Sequence, residues 1–191
     1  MKSNYLFWGS VIGLLIFFGL HSIKSSTVLL PGNIDTLSKE IETQSGLPIR
    51  LTIPRIKVDA KVEFVGLTPE GAMGVPAGPV DVAWFNLGTP PGVEGSAVIA
   101  GHRGWKNGKS AVFDNLDKLR TGDKVYIEDN NGKTIAFVVV DRKIYSPGAS
   151  VPEVFESDKG IHLNLVSCTG DWDKSTKSST KRLVVFTDIV N

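Results

Sequence analysis

The chain has 191 residues, 41% of them hydrophobic and 21% charged, and a formal net charge of +1. That balance excludes a disordered chain, and it excludes nucleic-acid binding through bulk positive charge. Twenty glycines and ten prolines, spread along the length, predict many turns between short strands and hence a mainly β fold.

Residues 5–20, YLFWGSVIGLLIFFGL, are apolar apart from Gly and Ser. Extended through Ile23 as a helix at about 1.5 Å per residue, the segment approaches a hydrocarbon core of ~30 Å. Residues 1–24 are therefore expected to be a single-pass N-terminal transmembrane helix in the plasma membrane, with the rest of the chain extracytoplasmic. A cleaved signal peptide is the rival reading; no Ala-x-Ala site follows, and either version exports the remainder. Residues 25–46 read as a linker or stalk. Ile34, Leu37 and Ile41 recur at helical spacing within it. Ser45-Gly46-Leu47-Pro48 marks the boundary before a domain expected over 47–191.

From residue 49 the pattern is of short strands. IRLTI (49–53) alternates apolar and polar residues, and AKVEFVGL (60–67) follows. Residues 74–95 hold most of the prolines and read as loop, before the buried-type strand SAVIAG (96–101). Val112, Leu116 and Leu119 predict a short helix or turn. DKVYIED (123–129) and KTIAFVVVDRKIY (133–145), joined through Asn131-Gly132, predict a hairpin whose Asn-Gly pair supplies positive φ angles. SVPEVFE (150–156) suits one helical turn. IHLNLVSC (161–168) and KRLVVFTDI (181–189) complete seven or eight strands around a polar loop at 169–180, most simply as a closed barrel.

Cys168 is the only cysteine, so no internal disulfide is possible. Alternation sets Ile161, Leu163 and Leu165 on one face of its strand, with His162, Asn164, Val166 and Cys168 on the other. The fully apolar face is the core face, which turns Cys168 towards solvent or a groove. Arg182 opens the next strand, and pairing of the two strands would bring it beside Cys168. Its guanidinium fork suits developing negative charge on a carbonyl, and it favours a thiolate. His102 ends SAVIAG between glycines, where an imidazole can protonate a leaving amine and deprotonate a nucleophile. Taken singly, each has a plainer reading: a buried thiol, a surface arginine, a turn histidine. The histidine lies 66 residues before the cysteine and the arginine 14 after it. Papain-like proteases have the opposite order of cysteine and histidine. Paired zinc ligands and a phosphate-binding P-loop do not occur.

IAGHRG around His102, LVSCTGDWD around Cys168 and KRLVVFT with Arg182 resemble the sortases, cell-surface cysteine transpeptidases, over about Leu47 to Val190. The family's Thr-Leu-x-Thr-Cys pattern reads Asn164-Leu165-Val166-Ser167-Cys168 here, so Asn164 departs and Ser167 keeps a hydroxyl. The stretch from Val75 to His102 is similar to the class F sortases, with class E as the alternative.

The resemblance implies a sortase-type closed β-barrel with an outer groove. It implies that Cys168 attacks the threonine carbonyl of a Leu-Pro-x-Thr-Gly-like sorting signal at the C-terminus of a surface protein. His102 would serve as acid and then base, and Arg182 would hold the substrate and its oxyanion. An amine acceptor, such as a peptidoglycan precursor or a pilin-like subunit, would then release the thioacyl-enzyme. Ser167, Thr169 and Trp172 are expected to contact substrate, Trp172 as a stacking wall or as a lid packed on the barrel. No cofactor or metal is implied: Glu128, Asp129 and Asn130 read as a hairpin turn rather than a calcium site. The alternatives are a peptidase that mainly hydrolyses the same motif, and a non-catalytic peptide-binding barrel with Cys168 in its core.

Overall fold

A computed structural model describes residues 46–157, 159–173, 175 and 178–190. The expected anchor, and all of the stalk before Gly46, lie outside the described residues. Among the described residues no helix is long and apolar enough to cross a membrane.

Eight strands form among these residues: β1 (Pro48–Ile53), β2 (Val58–Val65), β3 (Val82–Phe85), β4 (Gly95–Gly101), β5 (Lys124–Asp129), β6 (Thr134–Tyr145), β7 (Ile161–Asp173) and β8 (Ser178–Ile189). They close into a barrel in the order β1-β2-β3-β4-β7-β8-β6-β5, with β1 pairing back onto β5. Only β2/β3 and β4/β7 pair in parallel, and such pairs need long crossovers. The crossover between β4 and β7 carries β5, β6 and one helical turn, α1 (Pro152–Phe155).

Period-2 alternation makes the interior. Leu51, Ile53, Val125, Ile127, Phe137, Val139, Leu163, Leu165 and Val185 all point inward and are fully buried. Enclosing each such side chain is worth roughly 1.5–3 kcal/mol against leaving it exposed. Phe113, Leu116 and Leu119, spaced by three, join this core from the β4–β5 connection. The short helix or turn expected from Val112, Leu116 and Leu119 is a run of turns ending in a 3-10 turn at Leu116–Lys118, whose period of three matches the spacing of Phe113, Leu116 and Leu119.

A second, smaller apolar cluster lies outside the barrel. Val154 of α1 packs on Val98 of β4 and Val184 of β8, with Val166, Phe155 and Phe186 around them. The outer face of β7 is thus partly covered: Asn164 is only 1% exposed, and its Nδ2 donates to the Val154 carbonyl at 2.7 Å.

Three expectations change. The region 74–95 contains a strand, β3, because Val82, Ala83 and Trp84 are buried and pair with β2 despite the surrounding prolines. The polar stretch 169–180 is largely strand: β7 runs on to Asp173 and β8 starts at Ser178, with a bulge between Thr169 and Trp172. Gly170 takes φ +76 in that bulge, and a Cβ there would collide with Thr180 Oγ1. In the β5–β6 turn only Gly132 of the Asn131-Gly132 pair has positive φ. Asp129 Oδ1 instead closes the turn by accepting from the Asn131 and Lys133 amides, both at 2.9 Å.

Candidate active site

The β4/β7 ladder ends with Gly101 opposite Ser167. On the other side of β7, Ser167 lies opposite Leu183 and Cys168 opposite Arg182. Gly101, Ser167 and Leu183 are buried against the interior. The residues after Gly101 and Ser167, and the one before Leu183, therefore turn to the outer face. Those residues are His102, Cys168 and Arg182, and all three are partly exposed. Neighbouring strands lie about 4.8 Å apart, with directly opposed Cα atoms about 4.5–5.5 Å apart. His102, one residue past β4, thus falls in line with Cys168 and Arg182, which are paired within β7 and β8.

Each member of the row is held by identifiable contacts. A Cβ on Gly101 would overlap the ring of Phe113, so only glycine lets that ring close the barrel here. The Phe113 amide donates to the His102 carbonyl at 2.9 Å, which fixes the histidine backbone. His102 Nε2 lies 2.8 Å from the Pro76 carbonyl, an acceptor only, so Nε2 carries a proton. Nδ1 is then the nitrogen left to exchange a proton with a thiol or an amine. Trp105 supports the ring from one side, with centroids 4.8 Å apart.

Arg182 is oriented by the hairpin that the extended β7 and β8 create. Its Nη1 donates to the Ser179 and Lys181 carbonyls at 2.9 and 3.0 Å, and its Nη2 to Ser178 Oγ at 2.9 Å. Three of the five guanidinium N–H groups are so engaged, leaving two for another acceptor. Cys168 is a free, partly exposed thiol.

The residues expected to contact substrate separate. Ser167 is 3% exposed, and its hydroxyl donates to the Gly101 carbonyl at 2.9 Å. It ties the cysteine strand to the histidine strand from inside the barrel, a placement that does not fit substrate contact. Thr169 Oγ1 accepts from Arg103 Nη1 at 2.6 Å, strapping the residue after His102 to the residue after Cys168. Trp172 is 62% exposed, so it is not a lid packed on the barrel. Sequence reasoning missed Arg103 and the Pro76 carbonyl. Arg103 was visible as the neighbour of His102; a backbone acceptor 26 residues away carries no sequence signal.

The fold and this row define a β-barrel protein equipped for acyl transfer through a cysteine nucleophile. The Sortase domain model matches residues 51–190, and the chain belongs to the sortase family of cysteine transpeptidases. No curated protein matches it. Among solved structures it is similar to the lid mutant of Streptococcus agalactiae sortase C1, at 26% identity and TM-score 0.57, covering 74% of this chain and 67% of that one. The fold is also shared with sortase C-1 from Actinomyces oris, at 22% identity and TM-score 0.57, covering 86% of each chain. Sortase A from Corynebacterium diphtheriae shares it at 21% identity and TM-score 0.58, covering 77% of this chain and 62% of that one. The chain spans about two thirds of the length of the streptococcal proteins.

Proposed function

We propose that the chain cleaves a Leu-Pro-x-Thr-Gly-like sorting signal on exported surface proteins and transfers the acyl part to an amine acceptor. The Cys168 thiolate attacks the threonine carbonyl carbon, and the new oxyanion meets the two unengaged N–H groups of Arg182. Collapse breaks the C–N bond to glycine, and protonated His102 gives its proton to the departing amine. In the second half an acceptor amine attacks the thioester, His102 takes the amine's proton, and the sulfur leaves as thiolate. Anchoring in the plasma membrane through residues 1–24, with the barrel outside the cytoplasm, belongs to the same proposal, as does the class F reading with class E as its alternative.

The observation that supports this reading is the register that pairs Cys168 with Arg182 and ends β4, opposite Ser167, one residue before His102. Intact-mass spectrometry of the chain with Leu-Pro-x-Thr-Gly peptide variants, with and without an added amine, tests it. The expected result is an acyl adduct on Cys168, and an amine-linked product when an acceptor is present. Cleavage with no adduct at Cys168 would overturn the covalent route. Adduct followed only by hydrolysis, across a range of amines, would make the protein a peptidase.

A further inference from the structure

Below α1, at the end of β7 away from the thiol, a cavity of about 840 Å³ opens on the outer face of β7, β8 and β6. Its lining includes Asn164 and the carboxylates of Asp141, Glu153, Glu156 and Asp188, with Lys143 as the cation facing them. Phe155 and Phe186 supply apolar surface.

Three of the four carboxylates have local partners, Asp141 Oδ1 accepting from the Arg142 amide at 2.7 Å. Asp188 Oδ1 lies 2.7 Å from His162 Nδ1. Glu153 accepts from the Tyr145 hydroxyl at 2.9 Å, and it feels the charge of Lys143. Asp141 and Glu156 have no ion-pair partner among the described residues. The position of Asp141 is a consequence of the backbone. Val139 faces the core, so strict alternation would turn Asp141 inward too. The bulge at Val140 shifts the register and sets Asp141 opposite Phe186 on the outer face.

Asn164 adds an independent observation. Its Nδ2 is committed to the Val154 carbonyl, which fixes the orientation of the amide. Its Oδ1 is buried and accepts from no protein donor. A buried acceptor without a donor costs about 1–3 kcal/mol, so a ligand that brings an N–H there is favoured. An anionic or purely apolar ligand would leave both the amide oxygen and the two carboxylates uncompensated.

The geometry points to a second binding site in this cavity, for a primary ammonium on an aliphatic stem. The ammonium donates to Asn164 Oδ1 and is balanced by Asp141 and Glu156, while the stem lies along Phe155, since the Phe186 ring already carries Lys143 Nζ 5.2 Å from its centroid. A lysine side chain of another protein and a free aliphatic diamine share this chemistry. The packing of Val154 on Val98 and Val184 stands between the cavity and the thiol, so the site is separate from the catalytic row.

The test is a two-dimensional NMR titration of the full chain, following the Asn164 side-chain amide and His162. The probes are 1,5-diaminopentane, Nα-acetyl-lysine methylamide and, as the neutral control, 1-pentanol. The inference expects saturable shifts from at least one amine and none from pentanol. Asp141→Asn with Glu156→Gln, two exposed positions, should weaken amine binding tenfold or more. Asn164→Leu, checked for folding by circular dichroism, should do the same. Binding of the diamine alone would identify a free polyamine as the ligand; binding of the lysine derivative alone would identify a protein side chain. Absence of amine-dependent shifts at Asn164, or equal affinity in the double variant, would overturn the site. No sorting-signal peptide is present, so failure here leaves the transpeptidase reading untouched.

Discussion

Two stretches of β7 carry the same alternation and open on the same outer face, yet their chemistry is opposite. Past its middle Cys168 meets a cation from β8, Arg182, near the histidine that follows β4. Near its start His162 meets an anion from β8, Asp188, and Asp141 of β6 lines the same cavity. One strand therefore presents a thiol beside a guanidinium, and a polar floor where carboxylates collect. The neighbouring strands decide which is which, and register decides the neighbours.

The sharpest way to break this contrast is substitution at its two poles. Cys168→Ala should abolish acyl-enzyme formation with the fold intact, whereas His162→Ala should leave peptide cleavage within about twofold. The latter removes only a partly exposed pair, of the kind worth ~0–1 kcal/mol. Mass spectrometry and a cleavage assay check both, and turnover by the Cys168 variant would contradict a covalent route. His102→Ala should lower the rate ~10²-fold or more, the scale of lost acid–base catalysis; a loss under tenfold would remove it from the mechanism. Arg182→Lys keeps the charge but loses the planar fork. A drop in kcat of about tenfold is expected, and near-normal turnover would show that charge alone suffices.

The smallest effect concerns Tyr145, which lies opposite Arg182 on β6 yet donates to Glu153 at the cavity. Burial, then the hydrogen bond to Glu153, pushes its phenol up to about 12. The folded chain thus holds this proton more tightly than the unfolded one, whose phenol titrates near ~10. The associated stabilisation is complete below about pH 10 and is lost as pH rises towards 12. Tyr145→Phe should flatten that alkaline loss in urea midpoints measured between pH 9 and pH 11.5; parallel curves for the two proteins would refute the assignment.

Much of the site was legible because alternation in IHLNLVSC and KRLVVFTDI gives the faces of Cys168 and Arg182 without knowledge of the partner strands. The β7/β8 extension was not, since Thr169 to Thr180 is polar on both sides and apolar periodicity has nothing to report there. Yet that hairpin is what orients Arg182. Ser167 shows a different limit: its hydroxyl suggests a substrate contact in sequence, but the pleat sends it inward to Gly101. Asn164 reads as an outward polar residue, and only α1, far from it in pattern though near in space, makes it buried. Strand β3 was hidden by its length, four residues among prolines.

The parallel union of β4 with β7 has a bearing on when the site is assembled. Gly101 and Ser167 can meet only after everything from His102 to Gly160 has been laid down, and long-range pairings of this kind form slowly. During synthesis the sulfur therefore stays apart from the β4 histidine until the barrel closes. Closure of the barrel is thus the step that assembles the row, and it comes last along the chain.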